Sequence, residues 1–386
     1  MPESKHGPLP RRDFVLIPLI SLLTALVMLG GAEWLAGRHF EESQQGNCGT
    51  PNPVHPGFRY APNCAYYNKA AEGPLVKYEF NGCGYRNREA CGPAPSGTLR
   101  IALLGASTAL GFKVDFEHSL AEQARQQLAQ SCGRPVEFQN MGVAGYKPIN
   151  AYWRLPEALA LQPDLVMLVL TPYELVERTD PSWLENRQHP ELLRRPAPGG
   201  QQAGGGASEG LLARLSKLAS ASRAMLAAQY FLFQDRARYV EMFLMHGDKA
   251  DYLRTPLPPA WEQRLAELDL LLGEMTQTLN ASKKPFVVLF TPQRVQAALL
   301  DAKIRPPDVD PAALGQRLRS VLERRGIVFI DTLDAFRAEE TPEALFYPVD
   351  GHMTPHGHQV VGQALAHGLI EAHLPGFEQC SQEGTL

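Results

Sequence analysis

The sequence predicts a three-layer α/β domain, five parallel strands with helices on both faces, behind an N-terminal membrane-spanning helix. Three observations predict it. From Thr98 onward, short apolar runs alternate with longer helical patterns. Those runs are predominantly apolar, Leu165 to Leu170 wholly so, as strands buried on both faces are. Phe14 to Ala32 holds no charged residue, and its length is about what a helix needs to cross a bilayer.

The 386 residues suffice for one large domain with extensions, and a hydrophobic share of 44% is ordinary for a globular chain. A formal charge of -4 gives no reason to expect a nucleic-acid partner. No P-loop, dinucleotide glycine fingerprint or internal repeat is present. The expected divisions are a cytoplasmic N-terminus over 1–13, a transmembrane anchor over 14–37 and a cysteine-bearing subdomain over 38–97. A main domain over 98–375 follows, with a helical insertion at about 175–260, then a tail over 376–386.

Lys5, Arg11 and Arg12 precede the apolar run, so the positive-inside rule keeps the N-terminus in the cytoplasm and sends the rest outward. This places the chain in the inner membrane as a single-pass protein, its main domain in the periplasm or cell exterior. A cleavable signal is the rival, with Gly30-Gly31-Ala32 as a small-residue site. Glu33-Trp34-Leu35-Ala36 continues the helix with an interfacial tryptophan, which favours the anchor.

The six cysteines, Cys48, Cys64, Cys83, Cys91, Cys132 and Cys380, all follow the anchor. An even number in an exported chain suits disulfides. Four lie between 48 and 91, so that segment is expected to be stapled to itself. There Val76, Tyr78 and Phe80 alternate as a half-buried strand does, and the aromatic residues are expected to pack rather than bind.

The first sheet strand is Leu99 to Leu104, followed by a helix over Ser119 to Gln130. Val136 to Asn140 is the second strand, with a helix over Ile149 to Leu161, and Leu165 to Leu170 is the third. The rhythm then breaks. Arg195 to Gly206 is a low-complexity loop, and Leu211 to Met245 is helical with several aromatics. This insertion reads as a lid, an acceptor wall or a plain helical buttress. The rhythm returns with a helix over Pro259 to Ala281, a strand over Pro285 to Phe290, a helix over Pro311 to Arg325, and a strand over Ile327 to Asp331. A helix over His358 to His373 closes the domain.

Gly105-Ala106-Ser107 ends the first strand, which puts Ser107 at the edge where open α/β sheets collect ligands. Far downstream stands Asp350-Gly351-His352, followed by Pro355 and Gly357-His358. A serine nucleophile needs a base, and the base needs an orienting group. His352 and Asp350 are the candidates, with Asp331 as a back-up acid. His352, His356 and His358 as a metal site is the rival, weakened by the lack of a partner set of acids or cysteines. No metal and no cofactor is called for. His358 is expected to fasten the start of the last helix.

These blocks resemble the SGNH/GDSL hydrolases, a flavodoxin-like family of esterases and acyltransferases. Gly105-Ala106-Ser107 with Gly111 resembles the first block, Asn140 to Gly145 the second, Thr171-Pro172-Tyr173-Glu174 the third and Asp350-Gly351-His352 the fifth. The order is the family's. The resemblance implies acyl transfer through Ser107, His352 and Asp350, the oxyanion being held by the backbone N–H groups of Ser107 and Gly145, with Tyr173 as a third donor. Three positions differ from the family pattern. Ala106 replaces the aspartate of Gly-Asp-Ser, Tyr173 stands in place of the oxyanion asparagine, and Asp350 precedes His352 by two residues rather than three. The implied function is an exported serine esterase acting on acyl esters, those of envelope glycans among them. The rivals are an O-acyltransferase of polysaccharide modification and a silent glycan-binding or scaffold domain.

Overall fold

The computed structural model describes residues 12–53, 57–177, 222–301 and 303–380. The first eleven residues, the low-complexity loop, the predicted helical start at 211–221 and the tail beyond 380 lie outside the described residues.

Five strands form one parallel sheet: β1 (Leu99–Leu104), β2 (Val136–Asn140), β3 (Leu165–Leu170), β4 (Phe286–Phe290) and β5 (Val328–Asp331). Their order is β5-β4-β3-β1-β2, and every pairing is parallel. Successive side chains point to opposite faces, and both faces are covered. Ile101, Leu103, Met167, Val169, Val287 and Leu289 pack into the core that holds the Leu120–Cys132 and Pro355–Glu371 helices. Ala102, Leu104, Val166, Leu168, Val288 and Phe290 face the other core, with the Pro259–Ala281 and Ala313–Arg324 helices. The central strands β3 and β4 are apolar at every position because each position is inside, whereas β1 carries the buried Arg100 and the edge strand β2 the buried Glu137, Gln139 and Asn140. The order reverses between β1 and β3, the switch point at which such sheets take ligands.

Three predicted helices differ in extent. The one expected over Ile149 to Leu161 is two short helices, Pro148–Trp153 and Leu155–Ala160. Pro156 lacks the N–H that would continue the ladder, and Arg154 marks the break. The described part of the helix expected over Leu211 to Met245 is likewise two helices, Arg223–Leu232 and Arg236–Leu244, the second capped by Asp235 accepting from the Arg238 N–H at 3.1 Å. The last helix starts earlier than expected, at Pro355, because Thr354 caps it and Pro355 occupies its first turn.

The residues that follow the anchor and precede β1 in the chain form a small β-structure. Ser43–Gln45, Ala65–Lys69 and Leu75–Glu79 form a three-stranded antiparallel sheet, and Gly49–Pro51 pairs with Phe58–Tyr60. Cys48–Cys64 and Cys83–Cys91 staple this segment to itself, as expected, and Cys132–Cys380 is the third bridge. Its aromatics pack: Tyr60 stacks on Phe80 at 4.1 Å and Tyr66 on Tyr78 at 4.8 Å.

The chain divides into two compact units, one drawn from Met1–Glu41 and Ala203–Leu232, the other from Glu42–Gln202 and Phe233–Leu386. In the first, one continuous helix runs over Asp13–His39, long and apolar enough to cross a membrane. Its Glu33 carboxylate accepts from Ser222 Oγ at 2.7 Å and from the Arg223 and Ala224 N–H groups at 2.7 and 3.0 Å. It thereby caps the Arg223–Leu232 helix, a pairing that periodicity within either helix does not encode.

Candidate active site

Ser107 is the first residue of a four-residue helix, Ser107–Leu110, that leaves β1 through Gly105. Gly105 has φ +151, and a Cβ there would lie 3.0 Å from the Val169 carbonyl, so no other residue makes this turn without strain. Two buried side chains fix the short helix. Asn140, at the end of β2, donates from Nδ2 to the Ala109 carbonyl at 2.7 Å and accepts the Gly142 N–H at 3.0 Å. Arg86, 1% exposed, donates to the Leu110 carbonyl at 2.9 Å and the Val114 carbonyl at 2.7 Å, its guanidinium over the Tyr78 ring at 4.5 Å.

His352 Nε2 lies 2.9 Å from Ser107 Oγ, and His352 Nδ1 lies 2.5 Å from Asp350 Oδ1. The two-residue spacing works because Gly351 has φ +79. That left-handed turn brings both side chains to one side, and Asp350 Oδ1 also accepts the His352 backbone N–H at 3.2 Å. The turn is closed by the Gly351 N–H on the Tyr347 carbonyl at 3.0 Å and the Tyr347 N–H on the His352 carbonyl at 2.8 Å. Phe112 meets the imidazole edge-on at 5.0 Å. The Asp350 carboxyl titrates well below the usual aspartate range. Burial opposes its charge, but the hydrogen bond and charge of His352 and the ammonium of Lys113 outweigh that.

The loop after β2 carries Gly145. Val143 donates its N–H to the Gly105 carbonyl at 3.1 Å, which ties this loop to the nucleophile turn. Gly145 has φ +78, and its N–H makes no hydrogen bond to the described residues. Gly142 sits so close that a Cβ would lie 2.4 Å from the Leu110 nitrogen. The Tyr60 hydroxyl holds the Ala144 N–H, burial pushing that hydroxyl up to about 12. Tyr173 stands on the Pro172–Leu175 helix past β3, 62% exposed, with the Lys147 ammonium 4.9 Å from its ring centre. Its neighbour Glu174 closes a buried capping box, accepting from the Thr171 N–H at 2.7 Å.

The other candidates sit elsewhere. Asp331 ends β5 and accepts the Leu333 N–H at 3.0 Å, capping a turn, while His352 Nδ1 is taken by Asp350. The three histidines of the metal alternative have separate partners: Ser107 and Asp350 for His352, Glu339 at 3.6 Å for His356, and the Leu120 N–H at 3.2 Å for His358. Thr354 caps the final helix, and His358, in its first turn, accepts the first N–H of the neighbouring helix, which fastens the start of the last helix as expected.

Burial, with the charges of Arg86 and His352, pushes His358 down to about 3. A histidine held neutral leaves stability intact above its unfolded value near ~6.5 and removes it as pH falls from there toward the folded value. The loss approaches about 1.4 kcal/mol per pH unit for this one proton. Melting temperatures of wild type and His358→Gln from pH 7 to 4 are expected to converge as the wild type loses this term. Parallel curves would remove the assignment.

Residues that sequence reading passed over are Glu72 and Lys113, which hold the Asp350 turn from outside the quoted blocks. Asn140 lay inside a quoted block without a role, and Arg86 lies in the 38–97 segment, where no site residue was expected.

Residues 252–384 match a family model described as SGNH hydrolase-like domain, acetyltransferase AlgX. No curated protein matches the chain. Among solved structures it is similar to the acetylxylan esterase Axe2 from Geobacillus stearothermophilus, with 14% identity, 76% of this chain and 99% of that one covered, and a TM-score of 0.40. A lipase/acylhydrolase from Enterococcus faecalis shares 15% identity over 72% and 97% of the chains at a TM-score of 0.37. A putative lipolytic protein of the G-D-S-L family from Desulfitobacterium hafniense DCB-2 shares 11% over 70% and 99% at 0.35. The matched segment, which contains β4, β5 and the Asp350–His352 turn, is similar to an SGNH hydrolase-like domain.

Proposed function

We propose that this is an exported, membrane-anchored acyl-transfer enzyme that works on acyl esters through Ser107, His352 and Asp350. The observation that carries the reading is the unbroken series Asp350 Oδ1, His352 Nδ1, His352 Nε2, Ser107 Oγ, with contacts of 2.5 and 2.9 Å. His352 takes the hydroxyl proton as Ser107 attacks the ester carbonyl, and Asp350 fixes the tautomer and stabilises the imidazolium. The N–H of Ser107, at a helix start, and the unengaged N–H of Gly145 receive the oxyanion. Tyr173 is a further donor in this scheme, from its place past β3. The leaving alcohol takes that proton from His352; an acceptor hydroxyl, giving its own proton to His352, then attacks the acyl carbon, and the proton passes to Ser107 Oγ as the acyl–serine bond breaks.

With water as that acceptor the enzyme is an esterase. A second reading, O-acyl transfer to a sugar hydroxyl of an envelope glycan, is favoured by the match to a family described as an acetyltransferase. The apolar N-terminal helix and the three disulfides support a site on the oxidising side of the inner membrane.

Fluorophosphonate labelling of the full chain in detergent tests the chemistry. The wild type is expected to be labelled at Ser107, and Ser107→Ala to stay unlabelled. A folded wild type that takes no label would leave the domain a silent binding module. Adding oligosaccharide during p-nitrophenyl acetate turnover then separates the two readings. Acetylated sugar at the expense of acetate means transferase, and unchanged acetate release means esterase.

A further inference from the structure

We infer that Glu72 and Lys113 are positioning residues that clamp the Asp350 turn from two sides, so that a two-residue spacing delivers the carboxylate to His352. This rests on the acyl-transfer reading above and adds residues that no family block contains.

Lys113 Nζ lies 2.8 Å from Asp350 Oδ2, while Oδ1 serves His352. The carboxylate is therefore held at both oxygens. Lys113 is 5% exposed, and its backbone φ is +67, a conformation that a side chain with a Cβ adopts only under constraint. The constraint is visible. The Lys113 N–H donates to the Tyr78 hydroxyl at 2.8 Å, and Tyr78 is itself fully buried on the Leu75–Glu79 strand. A buried ammonium in a strained backbone is an expensive way to fill space, and its partner is the residue that orients His352.

Glu72, also 5% exposed, sits in the loop joining the Ala65–Lys69 and Leu75–Glu79 strands. Its carboxylate accepts the Asp350 N–H at 2.6 Å and the Val349 N–H at 3.1 Å. Next to it, a Cβ on Gly73 would stand 3.0 Å from the Tyr347 hydroxyl, so the loop lies flush on the turn. Glu72 thus holds the backbone of Asp350, and Lys113 holds its side chain. Among the described residues no hydrogen bond or ion pair joins either side chain to Ser107, so both act through Asp350.

The two clamps carry opposite charge, which makes their roles separable. The titratable and charged groups around the pair are Asp350, Lys113, Glu72, His352, Tyr347 and His358, with Arg294 acting on Glu72 and donating to the Pro348 carbonyl, Asp115 acting on Tyr347 and Arg86 on His358. The Lys113 cation competes with the imidazolium for one carboxylate. Removing it leaves Asp350 wholly to His352 and takes a like charge away from the imidazolium, so the acid limb of the reaction is expected to move up, by about one pH unit. It also frees the carboxylate to rotate.

The experiment follows the pH profile of fluorophosphonate labelling with the full chain. Lys113→Met is expected to slow labelling about tenfold at its optimum and to move the acid limb up by about one pH unit. Lys113→Arg restores the limb. Glu72→Ala is expected to lose about tenfold, and Glu72→Gln, which keeps an acceptor, to lose much less. A wild-type limb in Lys113→Met, with any rate loss tracking only a lower melting temperature, overturns the clamp. Lys113→Gln is carried alongside in case the methionine variant does not fold. An unreactive wild type would defeat the acyl-transfer reading alone. The carbon-13 titration of the His352 ring, assigned with His352→Gln, then decides the clamp. A midpoint that rises in Lys113→Met supports it, and an unmoved midpoint overturns it.

Discussion

Replacing His352 by alanine is expected to slow acylation of Ser107 by about four orders of magnitude. A serine hydroxyl is a weak nucleophile until a base takes its proton. Nε2 at 2.9 Å is within the reach a base requires. The side chain is partly exposed at 28%, so its truncation leaves the core untouched and the loss reports chemistry rather than unfolding. Asp350→Asn should fall nearly as far, because the amide can donate to Nδ1 and so favours the tautomer that leaves a proton on Nε2. The double variant should be no slower than His352→Ala alone, since the groups act as a unit. The second-order rate of fluorophosphonate labelling, followed by intact-protein mass, gives all three numbers. A His352→Ala rate within tenfold of wild type would sink the role assigned to the imidazole.

Much of the frame behind that prediction is legible along the chain because burial on both faces demands apolar runs, and turn chemistry marks their ends. Leu99–Leu104 and Leu165–Leu170 are strands at the bounds predicted for them. Ser107 and His352 meet because the βα edge and the turn before the last helix share one end of the sheet, which the order of the blocks already encodes. What was not legible is the support. Glu72 and Asp350 are 278 residues apart, and nothing local to Ala71-Glu72-Gly73 distinguishes a loop tip that receives two amides from one in water. Lys113 is a lone lysine after Gly111-Phe112, and its strain appears only with the backbone. The break at Arg154 was readable, since Pro156 stands in the predicted helix. The pairing of Glu33 with the Arg223–Leu232 helix was not, because amphipathicity says that a face is covered and never by what.

The second large effect concerns stability. Cys132 ends the Leu120–Cys132 helix, and Cys380 follows the last helix past Leu374 and Phe377, both buried. The bridge spans 248 residues, against 16 and 8 for the other two. In the chain-entropy account its removal by Cys132→Ser with Cys380→Ser lowers the unfolding free energy by about 5 kcal/mol, against about 3 kcal/mol for the Cys48–Cys64 pair. The two helices it joins lie in close contact, since a Cβ on Gly362 would stand 2.6 Å from Gln123 Cβ. Their far ends are held separately, by His358 on the Leu120 N–H. The turn that carries His352 adjoins that far end, so labelling of Ser107 at 25 °C should stay within about twofold while the urea midpoint drops. Removing Cys48–Cys64 should do the reverse. It costs less stability, yet it loosens the strand that leads to Glu72 and slows labelling. If the Cys132–Cys380 variant instead loses labelling in step with the other pair, the last helix is positioned by its C-terminal bridge, and the hold of Glu72 and Lys113 on Asp350 is too weak to keep His352 in place by itself.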